Sequence, residues 1–107
     1  MGHLKHWMVA VAMSVLGLPT FAQAQSISAQ EQAEAQLSER YAHLWAQLPA
    51  TQRPAFSARE RQWLNSGRWQ EKDECVAERG ADAGPACLLE VTLRHVHALD
   101  TGALVAN

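Results

Sequence analysis

The chain has 107 residues, which is enough for one small domain and too few for a dinucleotide-binding fold or a large α/β barrel. Its composition is 48% hydrophobic and 19% charged, as in a folded domain rather than a disordered or low-complexity segment. The net charge of −2 becomes −3 without the first 24 residues, where Lys5 is the only charged side chain. A mildly acidic surface argues against binding to nucleic acid or to anionic membranes, because binding to either requires clusters of lysine and arginine side chains.

The first 24 residues have the three parts of a secretion signal. A weakly positive start containing Lys5 precedes the apolar residues 7–18, and Ala22-Gln23-Ala24 is the small-x-small pattern of a cleavage site. A membrane anchor is the alternative, but a span needs about 20 consecutive apolar residues, and proline interrupts this run directly after residue 18. No cysteine lies near the cleavage site to carry a lipid. We therefore predict cleavage, no stable membrane anchor, and a periplasmic or secreted protein.

Cys75 and Cys87 are the only two cysteines. In an exported protein of this size, one such pair predicts one structural disulfide. A redox centre is less consistent with the sequence, because the pair is not a C-x-x-C motif and the neighbouring acidic residues disfavour a thiolate. A zinc site would need more ligands than these two cysteines supply.

The mature chain begins with a predicted helix of about 20 residues. Ser28-Ala-Gln-Glu31 is a capping-box pattern. Behind it, an apolar stripe at helical spacing is formed by Leu37, Tyr41, Leu44, Trp45 and Leu48. The acidic residues expected to face away from this stripe are Glu31, Glu34 and Glu39. Pro49 ends the helix, because the residue before a proline resists helical geometry.

A second helix is predicted to begin at Thr51-Gln-Arg-Pro54, with Thr51 as its cap and the proline in its first turn. One face of it is shared by Phe56, Glu60, Trp63, Leu64 and Gly67. The pattern then changes phase to a second stripe, formed by Trp69, Asp73 and Val76. Either the helix kinks at Ser66-Gly67 or it stops and restarts with Ser66 as the cap. We therefore expect Trp63 to be buried and Trp69 to be exposed.

The turn cluster Gly80–Pro85 precedes a third helix over about residues 86–100, with an apolar run at Leu89, Leu93, Val96 and Leu99. Asp100-Thr-Gly102 reads as its end. No alternating strand pattern or internal repeat is present. The sequence predicts an all-α domain over residues 25–100, a small antiparallel bundle of about three helices with one disulfide, followed by a short flexible tail over residues 101–107.

No familiar catalytic motif occurs in the chain. His95 and His97 point about 200° apart on a helix and cannot hold one metal ion together, so with His43 they are interpreted as surface or rim histidines. H-E-x-x-H, G-x-S-x-G and P-loop patterns are absent. We predict no catalytic residue, no metal site and no cofactor. A dense acidic run is interpreted as a solvated helix face or as a contact surface for a basic partner: Glu71, Asp73, Glu74 and Glu78.

Arginines alternate with tryptophans along the second helix, at Arg59, Arg61, Trp63, Arg68 and Trp69. Such mixtures are enriched at binding hot spots. The simpler interpretation is that Trp63 lies in the core and that the arginines pair with Glu60 and Glu71. Trp69 is the better candidate for an exposed anchor, because it is out of phase with the main stripe.

Three segments occur together in this order: Tyr41 with Leu44 and Leu48, then Ala58-Arg-Glu-Arg-Gln-Trp-Leu64, then Cys75 followed by Cys87-Leu-Leu-Glu-Val-Thr92 and Leu99. As a set they resemble the lysozyme-inhibitor LprI-like N-terminal domain family over about residues 30–99. This chain differs in having no cysteine before Cys75 and in having His95 where the family has arginine. The resemblance implies a small exported helical domain that binds a lysozyme-type muramidase.

We accordingly expect an exported, non-enzymatic module that binds a protein partner, a basic lysozyme-type enzyme. The alternative is a structural or accessory envelope protein without lysozyme binding, and an enzyme or metal carrier is a third, less favoured hypothesis. The expected partner contact comprises Arg68, Trp69, Glu71, Glu74 and Glu78.

The exported protein should begin near Gln25. Mass spectrometry of the protein recovered from the periplasm or medium measures this start directly. An Ala24→Arg variant should accumulate uncleaved, because a large charged side chain does not fit the small-residue position. Recovery of the unaltered chain with Met1–Ala24 intact would rule out the predicted cleavage.

Overall fold

The computed structural model describes residues 21–105, with side chains described from residue 28 onward. This part of the chain forms no strand and four α-helices: α1 (Phe21–Gln47), α2 (Arg53–Gln62), α3 (Arg68–Arg79) and α4 (Gly84–Thr101). A π-helical turn joins α2 to α3 without a break, so the two form one middle rod of a three-helix bundle. The predicted all-α class is confirmed. Within the same residues, no helix is both long and apolar enough to cross a membrane.

α1 is longer than the sequence predicts. It is already helical at Phe21 and passes through the capping-box pattern at Ser28–Glu31 without starting there. The alanines and glutamines before Ser28 favour helix, so nothing in them stops the helix from extending towards the N-terminus. α1 ends at Gln47, just before Pro49, as expected. Residues 1–20 of the predicted signal sequence lie outside the described residues.

Arg53 holds the turn between α1 and α2. Its side chain donates hydrogen bonds to the carbonyl oxygens of Trp45 and Ala46, at 3.0 and 3.1 Å. These carbonyls lie in the last turn of α1, where regular i+4 donors are lacking, and the carbonyl of Trp45 also accepts from the backbone N–H of Leu48 at 3.2 Å. The same guanidinium lies 4.3 Å from the centre of the Trp45 ring. Gln52, rather than the predicted Thr51, occupies the cap position of α2.

The π-helical turn at Trp63–Gly67 accounts for the change of phase in the sequence. Gln62, Gly67 and Arg68 all keep right-handed helical backbone angles, so the helix does not restart at Ser66. A π-helical turn accommodates about one extra residue and thereby rotates α3 relative to α2. Glycine suits position 67 because a Cβ there would lie 3.1 Å from Cδ1 of Trp63.

Rods that follow each other in the chain run antiparallel. The hydroxyl oxygens of Tyr41 on α1 and Ser57 on α2 lie 2.7 Å apart, and the predicted Cys75–Cys87 disulfide joins α3 to α4. α1 and α4 therefore run parallel to each other and in contact. The predicted antiparallel bundle with one disulfide is confirmed.

The core is small and lies where the three rods meet. One buried cluster is formed by Leu37, Leu48, Phe56, Val96 and Leu99. The ring of Tyr41 stacks on that of Phe56, with centres 5.1 Å apart. Trp63 packs against this cluster but stays half-buried, while Trp69 is 41% exposed. The predicted order of exposure of the two indoles is confirmed.

α4 buries Val96 and Leu99 of the predicted apolar run, but its buried face is rotated so that Leu93 lies outside it. Leu93 is 42% exposed, whereas Cys87 and Thr92 are fully buried. Because Cys87 must face its partner on α3, the disulfide sets the rotation of α4 and turns Leu93 outward. Thr92 tolerates burial because its hydroxyl donates to the carbonyl of Leu88 at 2.8 Å and accepts from Gln30 at 3.2 Å.

The chain after α4 belongs to the domain as far as residue 105. Gly102 adopts a left-handed conformation with φ of 75° and ends α4 where the sequence predicts an end. A short 3-10 turn follows at Ala103–Val105, and Leu104 and Val105 pack against the core. The described domain therefore continues past the boundary predicted at residue 100.

A Cys75→Ser variant should unfold at a temperature lower by roughly 10 °C or more. The bridge closes a short loop and contributes about 3 kcal/mol in the chain-entropy model, which is a large share of the stability of so small a domain. Thermal melts followed by circular dichroism measure the difference. An Ala77→Ser variant, at an exposed position on the same helix, is the control and should melt within a degree or two of the unaltered protein. Equal melting of both variants would contradict a structural role for the bridge.

Candidate functional site

A carboxylate and an imidazole are buried together between α2 and α4. Glu60 is 6% exposed, and its Oε1 lies 2.7 Å from Nε2 of His95, whose side chain is 10% exposed. Of the histidines interpreted as surface or rim residues, His95 is mostly buried at the edge of a groove, whereas His43 and His97 are exposed. The antiparallel course of α2 and α4 brings residues 60 and 95 together, and this pairing of rods is not visible in either helix alone.

Trp63 covers this pair. Its indole lies parallel to the imidazole of His95, with ring centres 3.5 Å apart and planes inclined by 7°. The indole Nε1–H donates to Oε2 of Glu71 at 2.7 Å, and the other oxygen of Glu71 lies 3.6 Å from Arg94. Five side chains thus form a continuous chain of contacts from α2 across α4 to α3.

The π-helical turn makes the contact between Trp63 and Glu71 possible. Residues eight apart on a regular α-helix point about 80° away from each other. The wider turn between them removes most of this offset, so that Glu71 lies below the edge of the indole and within hydrogen-bond distance. π-helical turns of this kind occur often at functional sites.

An open groove of about 320 Å³ lies beside this cluster, between α2, α4 and the C-terminal 3-10 turn. Its apolar wall is formed by Phe56, Ala98 and Leu104. Its polar lining is formed by Arg59, Glu60, Glu71, Arg94 and His95, with the indole of Trp63 between them. The groove therefore joins an apolar wall to a wall of charged groups.

Arg68 connects α3 to α1. Its side chain is 11% exposed, and its guanidinium forms two contacts with the carboxylate of Glu34, at 2.7 and 3.0 Å. The guanidinium also lies 5.6 Å from the ring centre of Trp63 and 5.1 Å from that of Trp69. Glu34 thus pairs across the bundle rather than facing away from it.

The five residues of the predicted partner contact fall into two groups in the structure, one exposed and one engaged in contacts within the protein. Trp69, Glu74 and Glu78 are exposed, as is Asp73, and together they span the outward half of α3 from Trp69 at one edge to Glu78 at the other. Arg68 and Glu71 are held by the internal contacts just described. Sequence reasoning missed those contacts because the Arg68–Glu34 and Arg94–Glu71 pairs cross between rods and the Trp63–Glu71 bond depends on the π-helical turn. One signal could have pointed to the buried pair: Glu60 occupies an inward position between Phe56 and Trp63.

Residues 28–105 contain no group of three or more histidine, cysteine or acidic side chains able to hold a metal ion. In comparisons with protein-family models, with curated proteins and with solved structures, nothing matched this chain. The resemblance to the LprI-like family stays a prediction from the sequence.

Replacing His95 by leucine should lower the free energy of unfolding by about 3–5 kcal/mol, because it leaves the Glu60 carboxylate buried without a partner. The double variant Glu60→Leu/His95→Leu should regain most of this loss, since an apolar pair removes the uncompensated charge. His97→Leu, two residues along α4 and exposed, is the control and should change stability by about 0.5 kcal/mol or less. Urea unfolding measures all three. Additive losses in the double variant would show that the two groups do not act as a pair.

Proposed function

We propose that this protein is an exported, non-enzymatic binding module whose outward α3 face contacts a basic protein, with a lysozyme-type muramidase as the partner class. The observation that carries the proposal is a large exposed indole at one edge of the exposed side of α3, with Asp73 one turn beyond it and Glu74 and Glu78 towards the opposite edge. Trp69 is 41% exposed. None of the three exposed carboxylates of α3 forms an ion pair with any of residues 28–105: Asp73, Glu74 and Glu78.

The indole of Trp69 is held in position before any partner binds. The guanidinium of Arg68 lies 5.1 Å from its ring centre, and the ammonium nitrogen of Lys72 lies 5.7 Å from it. Arg68 is itself anchored by Glu34. Cations over a tryptophan face are attracted by the ring quadrupole. An aromatic side chain that is already ordered loses less conformational entropy on binding, and this supports its role as an anchor.

The acidic face complements a basic partner. Exposed carboxylates steer the approach of a positively charged protein and raise its association rate at low salt, whereas a buried aromatic anchor mainly slows dissociation. The choice of a muramidase as partner rests on the resemblance of the sequence to the LprI-like family. The alternative, an accessory envelope protein, predicts no binding to such an enzyme.

Trp69→Ala should weaken binding to a basic lysozyme-type muramidase at least tenfold, mostly through faster dissociation. Surface plasmon resonance of the oxidised protein on immobilised enzyme measures both rates. Trp45→Ala is the matched control, because Trp45 is 37% exposed but lies at the end of α1, and it should stay within twofold of the unaltered protein. No binding by the unaltered protein would favour the accessory role.

Reversing the charge of two acidic side chains distinguishes electrostatic steering, which affects the association rate, from anchoring by Trp69, which affects the dissociation rate. Glu74→Lys/Glu78→Lys should slow association and flatten its dependence on salt, with little change in dissociation. Glu31→Lys/Glu39→Lys makes the same change in net charge on exposed positions of α1 and should have a much smaller effect. Equal effects of the two double variants would show that only net charge matters and that the α3 face is not the contact.

A further inference from the structure

The groove beside the Glu60–His95 pair is separate from the outward face of α3, and it has the features of a small-molecule site. Its volume of about 320 Å³ lies at the lower end of the range for ligand pockets. One wall is apolar, with Phe56, Ala98 and Leu104 contributed by α2, α4 and the C-terminal turn. Such a cavity accommodates one compact apolar group.

The floor of the groove is formed by Glu60, His95 and Trp63, which hold each other in fixed positions although burying the polar pair costs desolvation energy. Burying a carboxylate and an imidazole requires desolvation, and a well-packed apolar pair is often equally stable in such a position. Glu60 and His95 instead hold each other, and Trp63 is fixed by its stacking on His95 and its bond to Glu71. A site in which the polar groups are already oriented loses little entropy when a ligand enters.

The positive charges at the groove are only partly neutralised. Arg59 is exposed and forms no ion pair with any of the side chains from residue 28 to residue 105. Arg94 is 58% exposed, and its contacts with Glu90 and Glu71 are long, at 3.4 and 3.6 Å. By contrast, the side chains of Glu60 and Glu71 each have a hydrogen-bond partner at 2.7 Å.

We propose that this groove binds a small organic carboxylate, with its charge between Arg59 and Arg94 and its apolar body against Phe56, Ala98 and Leu104. Guanidinium groups bind planar carboxylates through paired hydrogen bonds. The nearby carboxylates of the floor disfavour a multiply charged anion such as a phosphate. The ligand is therefore a singly charged carboxylate attached to a compact aromatic or branched aliphatic group.

Three probes separate the charge of the ligand from its apolar body. Phenylacetate, phenylacetamide and acetate are titrated into the ¹⁵N-labelled oxidised protein, and the shifts of the Trp63 indole and the Ala98 amide are followed by NMR. Phenylacetate should bind saturably and at least tenfold more tightly than either of the others. Only phenylacetate has both a carboxylate for the two arginines and an aromatic ring for the apolar wall. Equal binding of phenylacetate and phenylacetamide would overturn the proposal.

Variants locate the site. Arg59→Gln should weaken phenylacetate binding at least fivefold, and Ala98→Phe should abolish it by filling the groove. Arg61→Gln removes an exposed arginine from the same helix but not from the groove, and it should bind within twofold of the unaltered protein. Equal affinity of the Arg59→Gln and Arg61→Gln variants would refute the site. The amide spectrum of each variant shows whether it is folded.

A short peptide ending in phenylalanine, with a free or an amidated C-terminus, distinguishes two sources of the same chemistry. Tighter binding of the free-acid peptide than of phenylacetate would assign the natural ligand to a peptide terminus. Weaker binding would assign it to a free small molecule. Equal binding of the free-acid and amidated peptides, at the affinity of phenylacetate, would contradict the role of the carboxylate.

Discussion

The π-helical turn at Trp63–Gly67 allows one helical rod to meet its neighbours in two different registers. Before the turn, Phe56 and Glu60 face the core and α4, and after it Arg68 reaches α1. The turn also brings Glu71 to the indole of Trp63, so the polar cluster depends on it.

Because the apolar core is small, the domain also relies on individual cross-links between helices, namely a disulfide and an ion pair. A domain of this size buries too little apolar surface to rely on its core alone. The disulfide joins α3 to α4, and Arg68 joins α3 to α1 through Glu34. Each link also sets the rotation of a helix. Exposed apolar side chains such as Leu93 are a consequence, since the rotation that satisfies Cys87 turns this leucine outward.

The two proposed binding surfaces share a helical rod but use different side chains. The outward face of α3 presents Trp69 and carboxylates, whereas the groove faces α4 and presents Arg59 and an apolar wall. Trp63 and Arg68 lie between them, packed at 5.6 Å from ring centre to guanidinium. Trp63 lines the groove, so a ligand bound there as proposed would lie against an indole that also packs on Arg68.

Local sequence signals determined the helical class, the approximate helix ends at Pro49 and Gly102, the single disulfide and the order of exposure of Trp63 and Trp69. These features depend on residues close together in the chain or on the covalent chemistry of one cysteine pair. The partner of Glu60, the pairing of Glu34 with Arg68 and the outward rotation of Leu93 were decided only by tertiary structure. A helical periodicity shows which side chains share a face, but not which face of another helix lies opposite. That choice depends on the packing of all three rods together.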